Sequence, residues 1–361
     1  MKKIYENIYK LLRCKNISSD DSIYLLNDSE IKNIKRKEFI AIFLSALIGV
    51  LMVLILYLPQ YFWPFLFPDN NFILPFFKKP FTFSVIGFIY GMVLVFAEIL
   101  LLSILNIYCA HEIAFATGFI NSDNKNELDK KNIVLTIASE KINKDIINLG
   151  IDPYAGLNKK TIILFNLFFT LKAALSNMVL KLVVQRVLGR YALRKVIDML
   201  GIPVFAFWNA WGTRKVLRQT RVIIMGQNYL SHFKVELFKF RELTEIEKSI
   251  VYDTLQFISE SKRDYHQNHF MLSKLIIEHF QIKIEKTHNM NGKYFLNING
   301  SAEDFKLLNE KIILLGFVLD GEISVREKKR LKLLIDSKVT NKSMQDVLLL
   351  RQIFLNGKGF Y

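Results

Sequence analysis

"EFIAIFLSALIGVLMVLILYL", residues 38–58, is the stretch that decides the fold. Twenty uncharged residues follow Glu38. At about 1.5 Å of rise per residue they form a helix about 30 Å long, one hydrocarbon thickness. A second run, "FTFSVIGFIYGMVLVFAEILLLSILNIYCA" at 81–110, has the same character and one charge, Glu98. Together they predict a two-span transmembrane helical hairpin over 39–110. Between them, "PQYFWPFLFPDNNFILPFFKKP" carries Pro59, Pro64, Pro68 and Pro75, which are expected to break any helix there. Tyr57, Tyr61, Phe62 and Trp63 suit the aromatic belt of a membrane interface.

Charge sets the expected orientation. Lys32, Lys35, Arg36 and Lys37 precede the first run, and Lys125, Lys130, Lys131, Lys141 and Lys144 follow the second. Only Lys78 and Lys79 oppose them. The positive-inside rule then places the N-terminal segment 1–38 and the connector 111–160 in the cytoplasm, at a bacterial-type inner membrane. "MKKIYENIYKLLRCKN" has no long apolar core and no small-residue cleavage site, so no cleavable signal peptide is expected. Cys14 and Cys109 both fall on the cytoplasmic side or at the membrane, which argues against a disulfide.

Whole-chain composition agrees with this reading. Of 361 residues, 51% are hydrophobic, 30 are Phe, and mean hydropathy is +0.23. A net charge of +16 implies an anionic partner, either a lipid surface or nucleic acid. Glu98 stands out, because a mid-span carboxylate costs about 2.5–3.5 kcal/mol on insertion scales. It reads either as a hydrogen-bonded packing element or as part of an ion path. A two-helix hairpin encloses no conduit, so the second reading requires a homo-oligomer.

Residues 161–240 read as a basic, membrane-surface helical region. Asn166, Thr170, Asn177 and Lys181 form one polar stripe on an otherwise apolar helix. From Lys172 to Arg221 there are ten basic residues and one acid, Asp198. Lys181, Arg186, Arg190, Arg194, Lys195, Arg214, Lys215, Arg218 and Arg221 are the expected contacts to anionic lipid, at about 1 kcal/mol each. "GIPVFAFWNAWG" at 201–212 either dips into the interface through its aromatics or packs as core. Nucleic acid competes for the same charge, but no helix-turn-helix, zinc-finger or glycine-rich signature accompanies it.

From about Arg241 the composition becomes that of a soluble helical bundle. Thr244 with Glu247, Ser301 with Asp304 and Ser324 with Glu327 each read as a capping box. "QIKIEKTHNMNGKYFLNIN" at 281–299 alternates around Asn-Gly and predicts a small β-hairpin. "FVLDGEISVREKKRLKLL" at 317–334 suggests half of a calcium loop. Counting back from Glu327, however, the first and third ligand positions fall on Gly316 and Val318, and an EF-hand fails there.

The helix–"DGEIS"–"xxE"–helix pattern resembles the TerB-like, tellurite-resistance type of helical domain. The similarity covers about residues 241–350, with "LQFISESKRDYHQNHFMLSKLI" as the first of two halves and Asp264 matching Asp320. What the resemblance implies is a divalent-metal site drawn from Asp264, Asp320, Glu322 and Glu327, with His266 and His269 as further nitrogen ligands. The bland alternative is that Asp320 closes a turn, Glu327 completes a cap and the histidines are solvated. No nucleophile elbow, P-loop, dinucleotide fingerprint or HExxH motif is present, so no enzyme activity is expected. The expectation is therefore a mainly α protein: a membrane-anchored sensing or docking module with an unidentified protein partner, in envelope stress or defence by analogy with the family. Its rivals are an oligomeric transport or pore-forming protein using Glu98 and a membrane-tethered nucleic-acid binder.

Overall fold

The computed structural model describes residues 26–68, 70–72, 81–117, 119, 149–151, 201–262, 266–285, 288, 290 and 294–358. The 161–183 stripe, Lys181, Arg186, Arg190, Arg194, Lys195 and Asp264 lie outside the described residues. Two compact units divide the chain, one containing Lys32–Ile113 and the stretch up to Arg218, the other Gln219–Tyr361.

The first unit holds most of α1 (Asp28–Phe62) and α2 (Val85–Ala116), the two helices long and apolar enough to cross a membrane. They are antiparallel. Lys37 near the start of α1 pairs with Glu112 near the end of α2, and Tyr90 Oη donates to the Ile55 carbonyl at the other end, 2.7 Å. Large apolar side chains stay exposed along both helices, among them Phe39, Phe43, Phe88 and Phe96. A core helix of a soluble protein would hide that surface.

Pro59 does not end α1, contrary to the expectation from its sequence. The helix continues to Phe62 with Pro59 inside it. Proline removes the N–H that would bond the carbonyl four residues back, here that of Ile55. The Tyr90 hydroxyl supplies the missing donor, so the helix loses no satisfied carbonyl. The break comes at Trp63, followed by a 3₁₀ turn at Pro64–Leu66. Two short antiparallel strands, β1 (Asn70–Phe72) and β2 (Phe81–Phe83), pair Asn70 with Phe83 and Phe72 with Phe81.

Helix α3 (Gly201–Leu237) is 37 residues long and contributes its first half to this unit. There it packs on the hairpin through its Phe205 backbone and Asn209, while the Phe205, Phe207 and Trp211 rings stay exposed. Gly49 of α1 is the close-approach point. A Cβ at Gly49 would lie 2.9 Å from the carbonyl carbon and oxygen of Phe205 and 2.8 Å from Asn209 Nδ2.

The second unit is a helical bundle: α4 (Glu245–Lys262), α5 (Gln267–His279), α6 (Tyr294–Asn299), α7 (Glu303–Val318), α8 (Val325–Asp336) and α9 (Met344–Leu355), with the second half of α3. Helix α4 is central, packed by α6, α7 and α8. Phe257, Tyr294, Phe305, Phe317 and Phe354 are among its largest fully buried side chains. A polar chain threads this core: Tyr294 Oη donates to Thr254 Oγ1 (3.0 Å), which donates to Asn309 Oδ1 (2.9 Å).

Two expectations fail in this unit. The 281–299 hairpin is absent among the described residues: 282–285 has no regular structure and Tyr294–Asn299 is helical. Tyr294 and Ile298, four apart, are each 1% exposed, whereas Leu296 between them is 71% exposed. That is a helical period, since a strand would turn all three to one face. Second, the Ser301–Asp304 box does not form. Ala302 is the N-cap, without a side-chain bond. Ser301 Oγ instead donates to the Asn297 carbonyl, and Asp304 pairs with Arg241. The Ser324–Glu327 and Thr244–Glu247 boxes do form, and Ser343–Asp346 caps α9 in the same way.

Candidate functional site

In the first unit the polar feature is Glu98. Its carboxylate accepts a hydrogen bond from Asn209 Nδ2 of α3, 2.6 Å from Oε1, and the residue is buried. The partner lies 111 positions away in sequence. Two residues further along α3, Trp211 is exposed, and Lys215 Nζ sits 6.0 Å from its ring centroid. Arg214 and Lys215 are exposed, and Arg218 and Arg221 are half-buried.

In the second unit the acidic Asp-Gly turn closes on a lysine. Lys262, the last residue of α4, brings its ammonium to 2.9 Å from both oxygens of Asp320. It also reaches Glu327 Oε1 at 2.6 Å and the carbonyls of Phe317 and Glu322 at 3.0 Å. The Lys262 side chain is 1% exposed, against 14% for Asp320 and 4% for Glu327. Why the chain folds so is local. Helix α7 ends at Val318, and Gly321 takes φ +70°, the left-handed value that favours glycine. Asp320 Oδ1 then accepts from the Glu322 amide at 3.0 Å, and Glu327 Oε2 accepts from the Ser324 amide. Glu327 thus caps α8 with one oxygen and pairs with Lys262 through the other. Burial pushes the Asp320 carboxyl up, but the Lys262 ammonium and the hydrogen bonds outweigh it and hold the group below its usual range.

The histidines near this turn are neutral. Burial pulls His266 down to about 4 and His269 to about 3. His266 Nδ1 accepts from the Asn268 amide at 3.2 Å, so Nε2 carries the proton and donates to Gln219 Oε1 at 2.9 Å. His269 is fully enclosed, with the Gly316 carbonyl as a hydrogen-bond partner. Neither histidine is solvated, contrary to the bland alternative. Between them Asn268 ties two elements together, its Nδ2 donating to the carbonyls of Val222 (2.9 Å) and Leu319 (2.7 Å).

These contacts test the metal expectation. Asp320 and Glu327 converge, but on an ammonium. Glu322 offers only its carbonyl there, and its side chain is exposed. Both ring nitrogens of His266 are committed. Among the described residues no group of three or more His, Cys, Asp or Glu is arranged to hold a metal ion. While Lys262 occupies the turn, the residues do not fit a divalent cation.

A further buried histidine, His288, is not marked by the sequence. His288 Nε2 lies 2.8 Å from Asp253 Oδ1 and Nδ1 lies 3.1 Å from Glu285 Oε2, with the ring stacked on Tyr252 at 4.0 Å. Burial lowers its proton affinity, but the two carboxylates prevail and raise it above the usual value. Its partner Asp253 is buried among several other polar residues of α4, so nothing local in the sequence marks the pair. Comparison with family models, curated proteins and solved structures gives no match.

Proposed function

We propose that this protein is a membrane-anchored docking module. In this reading α1 and α2 cross a bacterial-type inner membrane as a hairpin, with both chain termini in the cytoplasm. The first half of α3 inserts beside them, and Arg214, Lys215 and Arg218 meet anionic headgroups at its exit. The C-terminal helical unit, TerB-like by its Asp-Gly turn, faces the cytoplasm and docks a protein partner. A role in envelope stress or defence rests on that resemblance alone.

The observation that carries the reading is the contrast on α1 and α2. Their apolar side chains are exposed, while their one mid-helix acid, Glu98, is covered by Asn209. A lipid-facing surface with its polar group turned onto a neighbouring helix is what a bilayer demands. The Asn209 bond also supports Glu98 as a packing element over Glu98 as the lining of an ion path. The test is the mass of the detergent-solubilised protein together with Glu98→Gln and Glu98→Leu. The anchor reading expects no Glu98-dependent conductance, a well-tolerated Gln and a destabilising Leu. An oligomer whose conductance disappears in Glu98→Gln would favour the pore.

A further inference from the structure

We propose that the acidic turn of the C-terminal unit is a hard-cation cage whose resident cation is the chain's own Lys262. This inference is independent of the membrane reading, because it rests on α4, α7 and α8 alone.

The first argument is a count of oxygens. Five surround Nζ within 2.6–3.0 Å: both from Asp320, one from Glu327 and the carbonyls of Phe317 and Glu322. An ammonium carries three protons, so at least three of the five oxygens share a proton with another. A shell richer in oxygen than its occupant has protons resembles a coordination sphere more than a set of hydrogen bonds. The donor set is carboxylate and carbonyl only, with no sulfur and no imidazole. Calcium, magnesium and manganese take such sets, calcium with six to eight oxygens at about 2.3–2.6 Å. Contraction of the cage by a few tenths of an ångström and one water would complete that shell.

The second argument is charge. Two carboxylates face one ammonium, and backbone donors take up the excess. The Glu322 amide binds Asp320, the Ser324 amide binds Glu327, and Glu327 stands in the first turn of α8, where the helix dipole favours an anion. With Lys262 present the turn is balanced, and the ammonium and Glu327 are shielded from water. With the lysine removed, two buried carboxylates and two carbonyls are left around a hole of the right chemistry.

The wild-type protein therefore takes no divalent cation at this turn, and deleting the ammonium creates a site for one. The experiment uses the full chain in detergent, stripped with EDTA and titrated calorimetrically with calcium, magnesium or manganese chloride. Hydrogen exchange of the 317–336 peptides is followed in parallel. Wild type is expected to give no binding heat and unchanged exchange with or without cation. Lys262→Ala is expected to exchange at least tenfold faster at 317–336 when stripped. It should bind one calcium or manganese ion and regain protection, and Lys262→Ala with Asp320→Asn should do neither. Wild-type binding at millimolar calcium that is lost in Asp320→Asn would overturn the proposal. So would a Lys262→Ala protein, folded or unfolded, that neither binds a cation nor regains protection with one.

Discussion

Gly49→Ala is the smallest change that separates a packed third helix from a loose one. The added Cβ would sit 2.9 Å from the Phe205 carbonyl carbon and oxygen and 2.8 Å from Asn209 Nδ2. Backbone cannot rotate away as a side-chain tip can, so α3 has to retreat. Overpacking of this kind costs about 1–3 kcal/mol. A retreat that breaks the Asn209–Glu98 bond leaves a buried carboxylate without its donor, which adds about 1–3 kcal/mol. Alanine returns about 1 kcal/mol through helix propensity. The net loss is about 1–5 kcal/mol. Two glycines serve as controls: at Gly91 the nearest atom is Leu56 Cδ1 at 3.7 Å, and at Gly212 nothing lies within 4 Å. Both should tolerate alanine or gain up to about 1 kcal/mol. The assay is built into the sequence, since all three tryptophans, Trp63, Trp208 and Trp211, lie in the first unit. Tryptophan fluorescence of the solubilised protein during heating therefore reports this unit. Only Gly49→Ala should melt early, by about 2–4 °C per kcal/mol. Equal melting of Gly49→Ala and Gly91→Ala would refute the close packing of α3 on α1.

Two further outcomes concern the second unit. Glu327→Gln should cost about 1.5–3 kcal/mol, because it weakens a charged hydrogen bond to the buried Lys262 while Asp320 still pairs with the ammonium, whereas Ser324→Ala loses only a cap, about 1 kcal/mol. Hydrogen exchange over 325–336 ranks the two, and equal protection would mean that Glu327 is no more than a cap. Acid should weaken this unit through His266 and His269, which burial lowers from 6.5 to about 4 and about 3. Below pH 6.5 the unfolded chain binds protons that the folded one refuses. Stability is therefore complete above that pH and falls between 6.5 and about 4, approaching about 1.4 kcal/mol per pH unit for each histidine. His288, raised by its carboxylates, acts in the opposite sense, stabilising most at low pH. Thermal melting by far-ultraviolet circular dichroism between pH 7.5 and 5 reads the balance, and an unchanged slope in His269→Asn would remove His269 from it.

How much was legible in the sequence follows the range of each interaction. The apolar runs behind α1 and α2 and the Ser324–Glu327 box are local patterns, and they form, although α1 starts at Asp28, well before its apolar run, and Phe81–Phe83 of the second run pair as β2 before α2 begins at Val85. Ser301–Asp304 carries the same local pattern but fails by one residue, because the helix is capped at Ala302 and Asp304 is drawn to Arg241. Short apolar runs are ambiguous in period, and at Tyr294 the pocket beside Phe257 chose the helix. Pro59 looked like a breaker because the hydroxyl that satisfies its turn comes from Tyr90, on another helix. The polar centres were half legible. Asp320, Glu327 and Glu98 were singled out by type, but their partners Lys262 and Asn209 lie 58 and 111 positions away. Lys262 reads as an ordinary last-turn cation until the fold turns it inward.

Reporter fusions decide whether α1 and α2 cross a membrane at all. Alkaline phosphatase fused after residue 70 is expected to be active, because that point lies beyond the first crossing. Fusions after residues 30, 130 and 361 are expected to be inactive as phosphatase and fluorescent as green fluorescent protein. An active phosphatase at residue 361, or an inactive one at residue 70, would contradict the hairpin.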